Sequence, residues 1–270
     1  MTILKVNDLT VDVADSGTGP PAVLLHSSVS GNRQWRGLTS QLQKQYRVLA
    51  VNLLGYGATS PFNSDRTQTL NDQVAVVNAV CALVDGPVRI VGHSFGGAVA
   101  LAAARQLGTR VSRLVLLEPN PFRMLDVAGR HEAFAEATEL YRAVKRLGSD
   151  ANWMELGERF AEYFSGDGTW ARMPDERRQS FAAALPPNFH EWDAVMNDTT
   201  SASEWGRVNA DVLVVGFGGS RITLREIIEV FAETNDHWTF LHLADGGHMA
   251  PLSRPELVNP VVENFLRNGS

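Results

Sequence analysis

Short apolar runs alternate along most of the chain with longer runs that have helical periodicity. The short runs are flanked by glycine or proline, a pattern typical of strands buried on both faces. Strands are predicted at residues 9–13, 22–26, 47–52, 88–91, 111–117, 211–216 and 238–243. Helices are predicted at residues 34–42, 70–84, 95–107, 223–232 and 256–266. The repeating order of strand and helix predicts an α/β fold with a mostly parallel, doubly wound sheet.

The alternation stops between about residues 120 and 208, where the pattern is helical, polar and rich in aromatic residues. This segment holds 12 of the 22 Phe, Trp and Tyr residues. We interpret 120–208 as a helical cap inserted into a core formed by 1–119 and 209–270. A cap over the carboxyl ends of the strands would cover the place where such sheets bind ligands. Substrate contacts are expected from Trp153, Phe164 and Trp192, although many of the aromatic residues are also needed for the cap's own core.

Charge and composition indicate that the binding partner is a small molecule. The net charge of −6 argues against nucleic acid and against an anionic membrane. No apolar run approaches the roughly 18 residues of a membrane span, and no signal-peptide pattern is visible, so a cytoplasmic location is expected. The single cysteine, Cys81, lies in an apolar run and is expected to be a buried thiol. Neither metal-ligand spacing nor a dinucleotide fingerprint is present, so we expect no metal and no cofactor. The sequence does not predict the oligomeric state.

The candidate nucleophile is Ser94, in the segment Gly92-His93-Ser94-Phe95-Gly96. The segment follows a predicted strand and opens a helix of small residues, so the serine hydroxyl is expected on a sharp, exposed turn. A serine needs a positioned base, and His248 is the best candidate. His248 lies in the glycine-rich loop between the last strand and the last helix, at the same sheet edge as Ser94.

These features together resemble the α/β-hydrolase superfamily. The resemblance rests on residues 92–96, on Gly247-His248, on Leu25-His26 followed by Trp35, and on Gly55-Tyr56-Gly57. It covers nearly the whole chain and implies that Ser94 is the nucleophile and His248 the general base and acid. A serine in the turn of residues 92–96, the nucleophile elbow, argues against the dehalogenases and epoxide hydrolases of this superfamily. Those enzymes use a carboxylate as the nucleophile.

The first departure from the family pattern concerns the acid that orients the histidine. The family usually carries an aspartate after the strand that resumes beyond the cap, but residues 216–221 here contain no acid. The family's second solution places an acid after the strand that follows the elbow helix, and Glu118 occupies that position. Glu118 is therefore assigned as the orienting acid, with Asp245 as the competing candidate.

The second departure concerns the oxyanion hole. The family's usual His-Gly is His26-Ser27 here, followed by Ser28. The resemblance implies that a backbone N–H group near this histidine binds the oxyanion, and we carry that role to Ser28, with Ser27 as the alternative. The second donor is the backbone N–H group of Phe95, which follows the nucleophile.

The sequence thus predicts a capped serine hydrolase with a Ser94–His248–Glu118 triad. The expected reaction is cleavage of a carboxylic ester or lactone of an apolar or aromatic small molecule through an acyl-enzyme. A C–C bond hydrolase acting on a diketone would use the same three residue types. A ligand receptor built on this fold is the alternative from a different class.

Overall fold

The computed structural model describes residues 2–268, and its centre is an eight-stranded sheet. The strands are β1 (Thr2–Val6), β2 (Leu9–Ser16), β3 (Pro21–Leu25), β4 (Arg47–Val51), β5 (Val88–His93), β6 (Val111–Leu117), β7 (Asp211–Phe217) and β8 (Thr239–Leu243). Their order across the sheet is β1-β2-β4-β3-β5-β6-β7-β8. Pairing is antiparallel from β1 to β2 and from β2 to β4, and parallel across the remaining strands. The predicted mostly parallel α/β sheet is confirmed.

Helices cover both faces of the sheet. They are α1 (Arg36–Leu42), α2 (Leu70–Cys81), α3 (Phe95–Leu107), α4 (Arg123–Val127), α5 (His131–Ser149), α6 (Trp153–Ser165), α7 (Thr169–Arg172), α8 (Asp175–Ala183), α9 (Asn188–Asn197), α10 (Ala202–Trp205), α11 (Ile222–Thr234), α12 (Ala250–Ser253) and α13 (Pro255–Asn268). Side chains of α2, α3 and α11 fill the core on one face, and those of α1 and α13 fill it on the other.

Each buried strand contributes side chains to the cores on both faces of the sheet, because successive side chains point to opposite faces. In β6, Leu114 and Leu116 belong to one core, while Val115 and Leu117 belong to the other. All four are fully buried. This double burial explains the run of consecutive apolar residues from Leu114 to Leu117.

The N-terminal edge of the sheet differs from the prediction. β1 pairs with β2 as an antiparallel hairpin, but four of its five residues are exposed and only Leu4 is partly buried. A strand at a sheet edge buries little apolar surface, so it lacks the hydrophobic run by which the other strands were predicted.

Between β6 and β7 the chain forms helices α4 to α10, and we call residues 123–205 the helical insert. Most of its buried apolar side chains belong to the same hydrophobic cluster as those of α2, α3 and α11. The predicted division into a core and a separate cap domain stays a prediction. Within residues 2–268, no helix combines the length and the apolar character that crossing a membrane requires.

Candidate active site

Ser94 lies on a sharp turn between β5 and α3. Its backbone has φ 55° and ψ −120°, a conformation that a residue with a side chain rarely adopts. The turn fits because Gly96 has no side chain: a Cβ atom there would lie 2.4 Å from the carbonyl oxygen of Leu25 and 2.5 Å from that of His26. This close packing against the end of β3 holds Ser94 at the wall of a cavity.

The structure brings Ser94, His248 and Glu118 into one hydrogen-bonded row. Ser94 Oγ lies 3.0 Å from His248 Nε2, and His248 Nδ1 lies 2.8 Å from Glu118 Oε2. An ionised carboxylate only accepts hydrogen bonds, so the imidazole proton belongs on Nδ1. Nε2 is then free to accept the serine proton. The three residues are at most 4 % exposed.

Glu118 reaches His248 because β6 and β7 are parallel neighbours. Glu118 follows β6 directly, and its N–H group donates to Val215 of β7. Its second carboxylate oxygen, Oε1, accepts the N–H group of Phe217 at 2.8 Å. Asp245, the competing candidate, is exposed and forms no hydrogen bond with His248 within the described part of the chain.

The sequence did not reveal a second row of hydrogen bonds behind His248. His93 Nε2 donates to the backbone oxygen of His248 at 2.9 Å, and Gln34 Nε2 donates to His93 Nδ1 at 3.0 Å. Gln34 Oε1 accepts from both the N–H group and the hydroxyl of Ser27. Burial, reinforced by the charge of His248, lowers the pKa of His93 well below its usual range, so this ring is neutral. The row therefore connects the loop after β3 with the loop that carries His248.

The backbone N–H groups of the loop after β3 differ in whether they are already engaged. The N–H group of Ser27 is engaged as described, and that of Val29 donates to the Tyr56 hydroxyl at 3.0 Å. The N–H groups of Ser28 and Phe95 have no hydrogen-bond partner among residues 2–268. The N–H group of Ser27 already donates to Gln34, so the geometry favours Ser28 over Ser27 as the candidate oxyanion donor.

The cavity beside Ser94 leaves about 50 Å³ in which the centre of a water-sized molecule can move, within about 530 Å³ of empty space that includes its opening to solvent. It is lined by Ser27, Ser28, Ser30, Ser94, Asn120, Phe160, Ala161, Phe164, Ser165, Met173, Phe181, Trp192, His248 and Met249. Most of its lining surface is apolar, and the helical insert contributes Phe160, Phe164, Met173, Phe181 and Trp192 to it. No lysine or arginine of the described chain is among the lining residues.

Two of the three aromatic residues predicted to contact substrate line this cavity. The ring of Phe164 lies 4.9 Å from that of His248, and Trp192 stacks on Phe122 at 5.0 Å. Trp153 does not line the cavity; it lies at the start of α6, beside Gly148. Phe160 and Phe181 line it instead. Aromatic enrichment indicated the segment, but only the packing of the insert decides which rings face Ser94.

No group of three or more His, Cys, Asp or Glu side chains that could hold a metal ion occurs within residues 2–268. The cavity also lacks a glycine-rich phosphate loop of the kind that binds nucleotides. What the arrangement offers chemically is a buried hydroxyl, an imidazole whose Nε2 atom faces it, and two N–H groups nearby.

Comparison with known proteins agrees with this architecture. Over 270 aligned residues the chain is 26 % identical to the lipase LipV of Mycobacterium tuberculosis, covering 92 % of this chain and 94 % of LipV. Over 111 residues, 38 % of this chain and 37 % of the relative, it is 33 % identical to a 2-hydroxy-6-oxo-6-(2'-aminophenyl)hexa-2,4-dienoic acid hydrolase of Metapseudomonas resinovorans. An esterase of Exiguobacterium antarcticum superposes with a TM-score of 0.79 over 99 % of both chains at 20 % identity, which shows a shared fold.

The profile of the alpha/beta hydrolase family matches residues 22–261. The matched region contains Ser94, Glu118 and His248, together with the helical insert. The chain belongs to the alpha/beta hydrolase family.

Proposed function

We propose that this protein is a serine hydrolase that cleaves a carboxylic ester or lactone of an apolar or aromatic small molecule. Ser94 is the nucleophile, His248 the general base and acid, and Glu118 the acid that orients the imidazole. The observation that carries the proposal is the row from Ser94 Oγ to His248 to Glu118, with distances of 3.0 Å and 2.8 Å, at the wall of an apolar cavity.

In the first step Ser94 Oγ attacks the ester carbonyl carbon while His248 Nε2 takes the hydroxyl proton. The carbonyl oxygen gains the negative charge and is bound by the free N–H groups of Ser28 and Phe95. Each such donor lowers a barrier of this kind by about 3–4 kcal/mol. Glu118 stabilises the imidazolium. When the tetrahedral intermediate collapses, His248 gives its proton to the leaving alcohol and an acyl-Ser94 ester remains.

In the second step a water molecule attacks the acyl-enzyme. His248 takes a proton from the water as the new bond forms, and the same N–H groups bind the second oxyanion. Collapse of this intermediate breaks the bond to Ser94 Oγ, which recovers its proton from His248. The products are a carboxylic acid and the regenerated enzyme. With a lactone, acid and alcohol leave as one molecule.

The cavity walls favour an uncharged acyl group. Phe160, Phe164, Phe181 and Trp192 offer apolar contact, and no described lining residue carries a positive charge. A carboxylate on the acyl group would lose its hydration there without gaining an ion pair. The whole-length similarity to a lipase supports an ester as the substrate.

The second candidate function is hydrolysis of a C–C bond in a diketone. It is favoured by the partial similarity to the hydrolase of Metapseudomonas resinovorans, whose name specifies a dienoic acid as substrate. The same cavity weakens this candidate, because an acid of that kind would find no cationic partner among the described lining residues.

A substrate-class screen tests the proposal. Purified protein is assayed with uncharged aryl esters, with lactones and with a diketone acid, and the acyl-Ser94 intermediate is sought by mass spectrometry after rapid acid quench. We expect multiple turnovers and an acyl adduct with esters or lactones. Turnover of the diketone acid alone would support the C–C hydrolase. Stoichiometric binding without turnover in every class would support a ligand receptor.

A further inference from the structure

Glu191 is a buried carboxyl group to which the proposed mechanism assigns no role. It lies in α9 of the helical insert and is 1 % exposed. Ser28 Oγ donates to its Oε2 atom at 2.5 Å, and Asn188 Nδ2 donates to the same atom at 3.1 Å. Oε1 has no hydrogen-bond partner among residues 2–268. A buried carboxyl oxygen without a donor favours the neutral acid over the carboxylate.

The residue that Glu191 holds is the candidate oxyanion donor. Ser28 stands between Ser27 and Val29, whose N–H groups are engaged by residues of the core. Val29 itself has φ 67°, which is strained for a β-branched residue. The Ser28 side chain is fixed by Glu191, 163 positions along the chain, so the insert and the oxyanion loop are joined at this bond.

We propose that Glu191 is a positioning residue for the oxyanion hole: its neutral carboxyl group holds Ser28 through the Oγ hydrogen bond and keeps negative charge away from the developing oxyanion. This inference rests on the proposed hydrolase function, because it assigns Glu191 a role in the same site. Glu191 acts through Ser28 and does not itself line the cavity.

The surroundings of Glu191 favour its neutral form over its ionised form more strongly than water does. Burial raises its pKa to about 7, although the hydrogen bonds from Ser28 and Asn188 and the nearby Tyr56 phenol act in the opposite direction. The Tyr56 phenol faces the carboxyl group, and burial, reinforced by Glu191, raises the pKa of Tyr56 well above its usual range. Behind Tyr56, burial lowers the pKa of His26 to about 4. These groups therefore place no positive charge against Glu191.

Raising the pH through about 7 then has a defined consequence. Glu191 ionises and places a negative charge one hydrogen bond away from Ser28, where it repels the oxyanion of the transition state. The kcat should therefore fall on the alkaline side of about pH 7, and Glu191 is responsible for this alkaline limb of the profile.

The first experiment compares pH profiles of kcat and KM for the wild type, Glu191→Gln and Asp193→Asn. Asp193 is the matched control: it is a buried carboxylate of the same helix, bonded to Lys145 and Tyr141 and not to the oxyanion loop. The amide of Glu191→Gln accepts from Ser28 but cannot ionise. At pH 8, one unit above the folded pKa, this variant should be up to about tenfold more active than the wild type. Asp193→Asn should retain the alkaline limb.

Glu191→Ala tests the hydrogen bond itself. Loss of the anchor should lower kcat by about tenfold or more, with little change in KM, because oxyanion contacts form only in the transition state. Glu191→Gln should keep the wild-type kcat at pH 6, which separates the role of the bond from that of the charge. If Glu191→Ala does not fold, the comparison of Glu191→Gln with the wild type still decides the proposal.

The second experiment keeps this inference distinguishable from the proposed function. A fluorophosphonate probe reacts with the serine through an oxyanion-bearing transition state and requires no correct substrate. Its rate of Ser94 labelling is measured from pH 6 to 9 in the wild type and Glu191→Gln. Labelling of Ser94 without ester turnover would contradict the proposed substrate only. An identical pH dependence of labelling in the two proteins would overturn the role of Glu191.

Discussion

Glu118 Oε2 lies 2.8 Å from His248 Nδ1, although the two residues are 130 positions apart in the chain. Glu118 follows β6, whereas the acid usual in this family follows the strand that here is β7. The two positions lie at the same edge of the sheet, because β6 and β7 are parallel neighbours whose carboxyl ends point the same way. The N–H group of Phe217, at the end of β7, donates to Glu118 and fixes its carboxylate.

Glu118→Gln should lower kcat by about 10³–10⁴-fold, by analogy with other triads. The amide preserves the size of the side chain but favours the wrong imidazole tautomer and cannot stabilise the imidazolium. Steady-state kinetics on an aryl ester measure the effect, and circular dichroism confirms the fold.

Asp245→Asn is the control for that variant, because Asp245 is exposed and forms no hydrogen bond with His248 in the described chain. It should change kcat by less than about threefold, the range of an exposed substitution of under roughly 0.5 kcal/mol. A severe loss in Asp245→Asn together with a silent Glu118→Gln would reverse the assignment of the acid.

Ser94→Ala should lower kcat by about 10³-fold or more and leave the thermal stability close to that of the wild type. The hydroxyl supplies the nucleophile, whereas the turn is held by backbone packing around Gly96. Ser180→Ala, at an exposed serine of α8, is the matched control and should retain full activity. Retention of more than about a tenth of wild-type kcat in Ser94→Ala would place the nucleophile elsewhere.

An acyl-chain series should show rising kcat/KM from acetyl to longer apolar and aromatic esters. Each methylene group buried against the aromatic walls contributes up to about 0.8 kcal/mol, or about fourfold in kcat/KM. A succinyl ester with a free carboxylate should be the poorest substrate. A steady decline from acetyl onwards would contradict the proposed contact of the acyl group with the apolar walls of the cavity.

Two tryptophan variants test whether the preference for apolar and aromatic acyl groups arises from the cavity. Trp192→Phe changes a lining residue and should alter the ranking of the aromatic esters. Trp153→Phe changes a tryptophan of the same insert that lies outside the lining, and should leave the ranking unchanged.

Gln34→Ala should lower the free energy of unfolding by about 1–3 kcal/mol, the usual cost of leaving buried polar groups without partners. The groups concerned are His93 Nδ1 and the N–H group of Ser27. The variant should also lower kcat, because His93 holds the loop of His248. Chemical denaturation and kinetics measure the two effects, and Gln41→Ala, at an exposed glutamine of α1, should change neither.

Glu191 also makes a prediction about stability. Its pKa is about 7 in the folded protein against an ordinary value of 4.5, so the folded state binds more protons between these values. Stability should therefore fall as pH rises from about 4.5 through 7, by up to about 3 kcal/mol. Thermal melts should show Glu191→Gln equal to the wild type at pH 5 and more stable at pH 8. Asp193→Asn, which loses its ion pair with Lys145, should be less stable at both values.

The sequence by itself determined the sheet and the candidate nucleophile. Strands buried on both faces leave short, continuous apolar runs, and a strand-to-helix turn around Ser94 leaves glycines at fixed spacings, so both can be recognised locally. Glu118 was predicted because the usual acid is missing after β7 and a carboxylate ends the neighbouring strand. The exposed edge strand β1 gave no such signal, since it buries little apolar surface.

Tertiary structure alone decided which side chains surround Ser94. Helical periodicity identifies an apolar face but not the partner that covers it, so it could not separate Trp192 in the cavity from Trp153 outside it. The bond from Glu191 to Ser28 joins residues 163 positions apart, and nothing in either local sequence marks it. A pattern along the chain records how each segment folds, whereas the burial that raises the pKa of Glu191 exists only once α9 packs over the oxyanion loop.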